Sequence, residues 1–528
     1  MCGIFYTNDK SNHLVCYQNA MKLKKRGPDS SSLYIDTTSD SLQHTYVFHH
    51  LGIIHPKSNY NQPFFYDQKN IVVLCNGEIY NWKEILEKYG DQLPCDSELL
   101  SDCDIIGYLY ILLERRFSNV VQELEGEFSI ILHDKKSQKI YACRDFMGVR
   151  PLFFGVSSDF LYISSEVKGI PDNKDIITRH IEPRKVYSFD SNHSTLYTYE
   201  NYWNFPKYDK TIFIQDPIDV ICDKLYNLLY QSISLKLQSE RPIGCLLSGG
   251  IDSSLVVAIA SKINPNIRCF TIGSENSPDI VASRKVSQYL NVPLDIIPFD
   301  NLSAFEKIPE VIRNIETYDI TTIRASTPQY LIARWISQNT NIKVILSGEG
   351  SDEIFSGYIY SKLAPNPEEL WKDGIKLLSE LYLFDCLRTD RTMSSWGIEV
   401  RVPFLYKPLV QYALTINPEL RMSNNKIEKY ILRRMIEKYK LLPKDITWRP
   451  KEAFSDSVSS TKNKETWREF IIHKLSPIKE DDWYKKLFIK YYPFKTEILS
   501  HYWLPNWVET NNEPSATILE VYQNNQTI

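Results

Sequence analysis

Along the first two hundred residues the apolar positions fall in short runs, 71-IVVLC, 127-EFSIILHD, 139-KIYACRD and 160-FLYISSE among them, separated by turn-forming residues. Short runs rich in Val, Ile, Tyr and Phe between such signals are strands. Their regular spacing predicts antiparallel hairpins stacked as two layers. The stretch 197-YTYENYWNFPKYDK, dense in Tyr, Trp, Pro and charge, reads as a connector. Asp216-Pro217 then reads as an N-cap with proline in the first turn, and Ile221, Leu225, Leu228, Leu229 and Ser232/Ile233 recur behind it at helical spacing. From residue 243 the rhythm becomes strand, loop, helix: 243-IGCLL before a helical LVVAIASKI, 267-IRCFTIG before a helical segment in the 280s, then 294-LDIIPF and 343-KVILSGEGSDEIF. Strands alternating with helices predict a parallel sheet covered on both faces, with its ligand site at the carboxyl ends of the strands. The division falls into two domains, residues 2–200 and 215–528.

Composition narrows the chemistry. The 528 residues carry 24% charged side chains and a formal net charge of −4, so there is no basic field to hold nucleic acid. No apolar run reaches the length of a membrane-spanning helix and the first thirty residues are too polar for a secretory signal, so a cytoplasmic protein is expected. Ten cysteines, with no C-x-x-C, do not make a disulfide scaffold or a zinc ribbon. Of the ten histidines none lies between His193 and His473. Chemistry in that long middle region runs without imidazole.

The stretch 246-LLSGGIDSSL sets Leu247, Ser248, Gly249, Gly250, Asp252 and Ser253 where an apolar strand turns into a helix. Glycines admit a close ligand, and the N–H groups opening a helix favour phosphate. No G-K-[ST] follows, so this is not a Walker loop. Asp252 beside phosphate requires a cation, and magnesium bridging carboxylate and pyrophosphate resolves the conflict. The bland alternative is a strand-to-helix turn. A second acidic loop, GEGSDE after 343-KVILS, supplies Ser347, Gly348, Glu349, Asp352 and Glu353.

These loops resemble the PP-loop ATP pyrophosphatases. The stretches 316-ETYDITTIRASTP, 393-MSSWGIEVRVPFL and 449-RPKEAFSD narrow the resemblance to glutamine-hydrolysing asparagine synthetases, over roughly residues 2 to 460. The resemblance implies aspartate activated by ATP to β-aspartyl-AMP and then attacked by ammonia. It places pyrophosphate and magnesium at Ser248, Gly249, Gly250, Asp252, Ser253 and Asp352, and adenine and ribose beside Ile272 and Gly348. Glu349 is the expected base for ammonia, and Lys451 the cation facing the pentavalent phosphate, unless it is a solvated surface lysine. Tyr318, Thr321, Thr322 and Arg324 are candidates for the aspartate side, with an interdomain salt bridge as the other reading of Arg324.

The opening MCGIFY puts a thiol behind the initiator methionine. With Met1 removed, Cys2 carries a thiol and an α-amine of nearly matched pKa, so the residue holds its own general base. This resembles the class II glutamine amidotransferases, with 26-RGPD, 76-NGEIYN and 101-SDCD in support. The fold class implied is an N-terminal-nucleophile αββα glutaminase domain followed by a parallel α/β PP-loop synthetase domain. Asn76 and Gly77 would form the oxyanion hole, and Glu78 and Asp102 would bind the glutamine α-amino end.

Two positions depart from the family pattern. His50, in 48-FHHLGIIHP, stands where the family has an arginine that forks onto the glutamine α-carboxylate. Three readings follow: weaker glutamine binding that improves as pH falls toward 6, repair by another cation, or a decayed glutaminase fed by free ammonia. Tyr406, in 403-PFLYK, replaces an aspartate, with an effect on aspartate binding or on packing. The expected small-molecule partners are glutamine, aspartate and ATP; the oligomeric state is open, with a homodimer as the candidate. A β-lactam synthetase-like cyclase and a silent paralogue are the competing readings, and intact Cys2, SGGIDS and GEGSDE count against both.

Overall fold

The computed structural model describes residues 1–11, 13–37, 43–53, 61–94, 99–191, 196–422, 427–450, 458–459, 465–499 and 503–508. Two six-stranded antiparallel sheets form the first half. One runs in the order Ile177–His180, Phe153–Val156, Leu161–Ser164, Gly3–Thr7, His44–His50, Ser30–Asp36. The other runs Tyr197–Asn201, Lys185–Asp190, Lys139–Arg144, Gly126–Asp134, Ile71–Ile79, Phe64–Tyr66. The predicted strands at 71, 127, 139 and 160 are all present. The layers bury Ile4, Tyr6, Phe48, Val72, Leu74 and Ile131 between them. The outer face of the second sheet is covered by helices, with Trp82, Ile106, Leu109 and Val120 in the core beneath them.

The connector reading changes at one end. Tyr197–Asn201 pairs with Lys185–Asp190 and closes the second sheet as its edge. Its side chains are mostly exposed, so it lacks the buried alternation by which a strand announces itself.

Beyond it, the helix Ile218–Lys236 buries the expected stripe, Ile221, Leu225, Leu228, Leu229, Ser232 and Ile233. The residue flanking its start is Pro217, not Asp216, and no side chain caps it. Five parallel strands follow in the order Leu294–Pro298, Arg268–Gly273, Ile243–Leu246, Val344–Leu346, Glu399–Arg401. Four of these were legible as apolar runs. The fifth, Glu399–Arg401, is three residues long and fully buried although two of the three are charged, so hydropathy does not reveal it. Helices Trp467–Leu475 and Glu480–Tyr491 join the core that covers one face of the sheet, through Trp467, Ile471, Tyr484 and Phe488. No helix among the described residues is long and apolar enough to cross a membrane.

Candidate functional site

A cavity opens at the carboxyl ends of the parallel strands, where the topology directs a ligand. Leu247, Ser248, Gly250, Asp252, Ser253, Ile272, Ser347, Gly348, Glu349 and Asp352 all line it, so both acidic loops meet there as the sequence implied. Gly249 does not line it; at φ +78° it turns the chain against Ala282, whose Cβ would lie 2.5 Å from a Cβ at this position. Only glycine accepts that backbone in that space. Ser253 then folds back, its Oγ accepting from the Ser248 N–H at 3.1 Å. The turn is thereby fixed ahead of the helix Ile251–Ile263.

Asp252 and Asp352 converge on one ammonium. Lys429 Nζ lies 2.6 Å from Asp252 Oδ2 and 2.7 Å from Asp352 Oδ1, and Lys429 is almost fully buried. Its backbone sits at φ +57°, an uncommon conformation for a lysine. Two carboxylates close enough to share an ammonium are close enough to share a metal cation. Among the described residues no group of three or more His, Cys, Asp and Glu side chains converges as a metal site, so phosphate oxygens would have to complete such a cation's shell.

Glu349 is held by one oxygen. Its Oε1 accepts from Thr389 Oγ1 at 2.9 Å and lies 3.4 Å from Arg388 Nη1 and from Gln329 Nε2. Its Oε2 is buried without a hydrogen-bond partner among the described residues, an arrangement that leaves an acceptor for an incoming N–H. Burial, with Asp385 and Asp352 nearby, pushes Glu353 up to about 8. Lys451 lies outside the described residues. Arg449 lines the cavity and reaches Gly249 O at 3.4 Å and Asp279 Oδ1 at 3.2 Å.

The aspartate-side candidates do not line this cavity. Arg324 forks onto Glu480 of the tail at 3.0 and 2.5 Å, a salt bridge, though within residues 215–528 and not between the two domains. Tyr318 donates to Thr496 O at 3.2 Å. Thr322 N–H donates to Asp319 Oδ1 at 2.7 Å, capping the helix Ile320–Asn339, and Thr321 Oγ1 is buried without a partner among the described residues. Tyr406 is half-buried against the core beside Leu405 and stands apart from the cavity lining.

The second constellation lies between the two antiparallel sheets at their edge toward the parallel sheet. Cys2 N–H donates to Asn76 Oδ1 at 2.7 Å, joining one layer to the other. Asn76, Gly77 and Glu78 all sit on the fully buried strand Ile71–Ile79. Gly77 has φ +138°, and a Cβ there would fall 1.9 Å from Glu127 O. Asp102 Oδ2 accepts from Ile79 N–H at 2.6 Å, which ties it to the same strand. Burial raises both carboxyls, Asp102 to about 6 and Glu78 well above its usual range. Burial likewise pushes the Cys2 thiol up to about 11.

Met1 is fully buried, and its ammonium pairs with Glu399 of the parallel sheet's edge strand. Asn76 Nδ2 meanwhile donates to Ser129 Oγ at 3.3 Å. For His50, burial is the largest influence and lowers its pKa; the Met1 ammonium and Arg241 lower it further against Asp29. Burial therefore moves protonation of the ring to lower pH than that of a free imidazole, which works against the expected gain in glutamine binding toward pH 6. Arg241, which motif reading passed over, donates to Gly52 O at 3.0 Å and Asp29 Oδ2 at 2.9 Å.

Between the two constellations runs a buried ionic cluster. Arg26 Nε donates to Cys2 O at 2.9 Å, and its guanidinium meets Glu166 at 2.8 Å and Asp390 at 2.7 and 3.1 Å. Arg391 binds Glu166 at 3.1 Å and Glu316 at 2.9 Å. Arg150 and Lys236 flank Glu127 at 2.9 and 3.0 Å. Buried charges persist only when paired in this way.

Known proteins match nearly the whole length of the chain. The family model described as asparagine synthase matches residues 224–373 and 375–492, and the one described as glutamine amidotransferase domain matches residues 1–206. A probable asparagine synthetase [glutamine-hydrolyzing] of Acanthamoeba polyphaga mimivirus is 38% identical, over 99% of this chain and 100% of that protein. Asparagine synthetases [glutamine-hydrolyzing] of Gallus gallus and Homo sapiens are each 36% identical, over 99% of both chains.

Proposed function

Because the chain belongs to the asparagine synthase family, with a glutamine amidotransferase domain ahead of that region, we propose that it converts aspartate, ATP and glutamine to asparagine, AMP, pyrophosphate and glutamate. Residues 2–200 carry glutamine hydrolysis and 215–528 carry amide formation. The observation that supports the second reaction best is the meeting of two acidic loops in one cavity with a Glu349 oxygen that has no partner among the described residues.

Ammonia does not displace oxide from a carboxylate. AMP transfer gives the β-carbon a leaving group, and the charge that builds on the α-phosphate is met by N–H donors of the 248–253 turn and by cations. Asp252 and Asp352 are the residues to hold magnesium, which offsets phosphate charge when bound. Lys429 must then yield those carboxylates and is placed to turn toward pyrophosphate. Glu349 Oε2 takes the proton of the attacking ammonia, which fits a cavity with no histidine. Glu349→Gln is expected to bind ATP normally by titration calorimetry and to lose on the order of 10²–10⁴ in asparagine formation.

On the glutamine side, burial raises the Cys2 thiol, so activation requires a base beside it. The Cys2 nitrogen is such a base once Met1 is gone. Asn76 and the Gly77 N–H then receive the oxyanion, with Asn76 Nδ2 turning from Ser129. Glu78 and Asp102 hold the substrate ammonium. Ammonia crosses to Glu349 through the interior between the halves. Cys2→Ala is expected to abolish glutamine-dependent synthesis and keep ammonium-dependent synthesis.

A second reading, synthesis from free ammonia with an impaired glutaminase, is favoured by the lowered pKa of His50 at the carboxylate end. One assay separates them: asparagine and pyrophosphate formed from aspartate and ATP with glutamine or with ammonium. Equal yields of the two products with glutamine support the first reading. Yield with ammonium alone selects the second, and no asparagine from either nitrogen source rejects both.

A further inference from the structure

The ten-residue helix Asp385–Ser394 belongs to the synthetase half, yet consecutive residues on it hold the reactive groups of both halves. Thr389 donates to Glu349 Oε1 at 2.9 Å. Asp390 accepts two hydrogen bonds from Arg26 at 2.7 and 3.1 Å, and Arg26 Nε donates to the Cys2 carbonyl at 2.9 Å. Thr389, Asp390 and Arg26 are each no more than 1% exposed, so water does not loosen these links. Arg391, next along the helix, clamps it to Glu166 and Glu316. A well-packed helix moves as a body, and bidentate charged bonds transmit such a motion with little slack.

We propose that Asp390 is a positioning residue by which the synthetase half sets the Cys2 nucleophile, so that glutamine hydrolysis follows the occupancy of the nucleotide cavity. The inference rests on the function proposed above. A substrate reaching Glu349 displaces its bond to Thr389, the helix shifts, and Arg26 carries the shift to the backbone of Cys2. The glutamine ligands Glu78 and Asp102 lie on other elements and are untouched, so the effect falls on kcat and not on KM. Coupling of this kind is established by energetics, not by proximity alone.

The test uses the full chain and Asp390→Asn, which keeps the shape and one acceptor. In the parent protein, glutamate release is expected to rise when ATP and aspartate are added together. In Asp390→Asn that rise is expected to vanish, with glutaminase kcat down about ten- to a hundredfold, as small misplacements of a nucleophile cost. The KM for glutamine and ammonium-dependent synthesis are expected to stay within about twofold, because neither depends on how Cys2 is oriented. An unchanged rise in the variant overturns the proposal, as does an equal loss of the glutamine and ammonium activities, which marks a merely structural role.

Should Asp390→Asn fail to fold, the parent protein still decides. Its Cys2 is alkylated with the diazoketone analogue of glutamine, with and without aspartate and a non-hydrolysable ATP analogue. A rate that responds to the cavity ligands supports the coupling, and an indifferent rate overturns it. Failure of the parent to make asparagine from any nitrogen source instead defeats the underlying function, a result distinct from either.

Discussion

Asp102 sets the pH behaviour expected on the glutamine side. Its carboxyl titrates near 6 because it is buried, and in the role proposed for it, it would attract the substrate ammonium only when ionised. The KM for glutamine is therefore expected to rise as pH falls through about 6, and burial, by lowering the His50 pKa, weakens any offset from an imidazolium there. Initial rates of glutamate release across pH check this; a KM that falls toward pH 6 would restore the imidazolium reading. Cys2, Asn76, Asp252 and Glu349 could be singled out because each sits in a compact motif, Asp252 and Glu349 in loops that follow strands and Asn76 within the strand Ile71–Ile79. Lys429 was not, since it meets Asp252 across 177 residues of sequence and nothing in its own neighbourhood signals a ligand. Thr389 and Asp390 stayed hidden for the same reason: a short polar side chain on a helix shows its role only through what the fold brings to it.

The strand Ile71–Ile79 combines apolar burial with the oxyanion role proposed for Asn76 and Gly77, and Gly77 is where the two meet. Alanine there forces a side chain to φ +138° and into Glu127 O. Gly77→Ala is expected to lose at least about 1–3 kcal/mol from the backbone conformation alone and to displace Asn76 as well. Thermal unfolding and the glutaminase assay read the two effects separately. Continuous apolar runs made most strands readable, whereas the exposed edge Tyr197–Asn201 and the charged edge Glu399–Arg401 were not, because hydropathy registers burial and not pairing. The tail helices had a readable stripe, Trp467, Ile471 and Leu475 and then Tyr484 and Phe488, at spacings of four. Motif resemblance stopped short of them, and periodicity alone would have placed them. Their packing explains why Arg324 faces Glu480.

Across the molecule the two halves meet through charge as much as through apolar surface. Arg26 and Asp390, Lys236 and Glu127, and Glu127 Oε1 with the Val402 N–H at 3.0 Å all cross from one half to the other, as Met1 and Glu399 do before Met1 is removed. Glu399 and Arg401 are completely buried in the strand that bounds the parallel sheet. Taken away from its neighbour, that strand would present open backbone groups and charges stripped of their partners, a template for pairing with other chains. Residues 215–528 produced alone are expected to form aggregates by light scattering, and co-production with residues 1–214 to return them to solution. Such a seam makes each half the other's missing surface: joined or merely co-produced, the two must be present together, so the chemistry of releasing nitrogen and of capturing it travels as a pair.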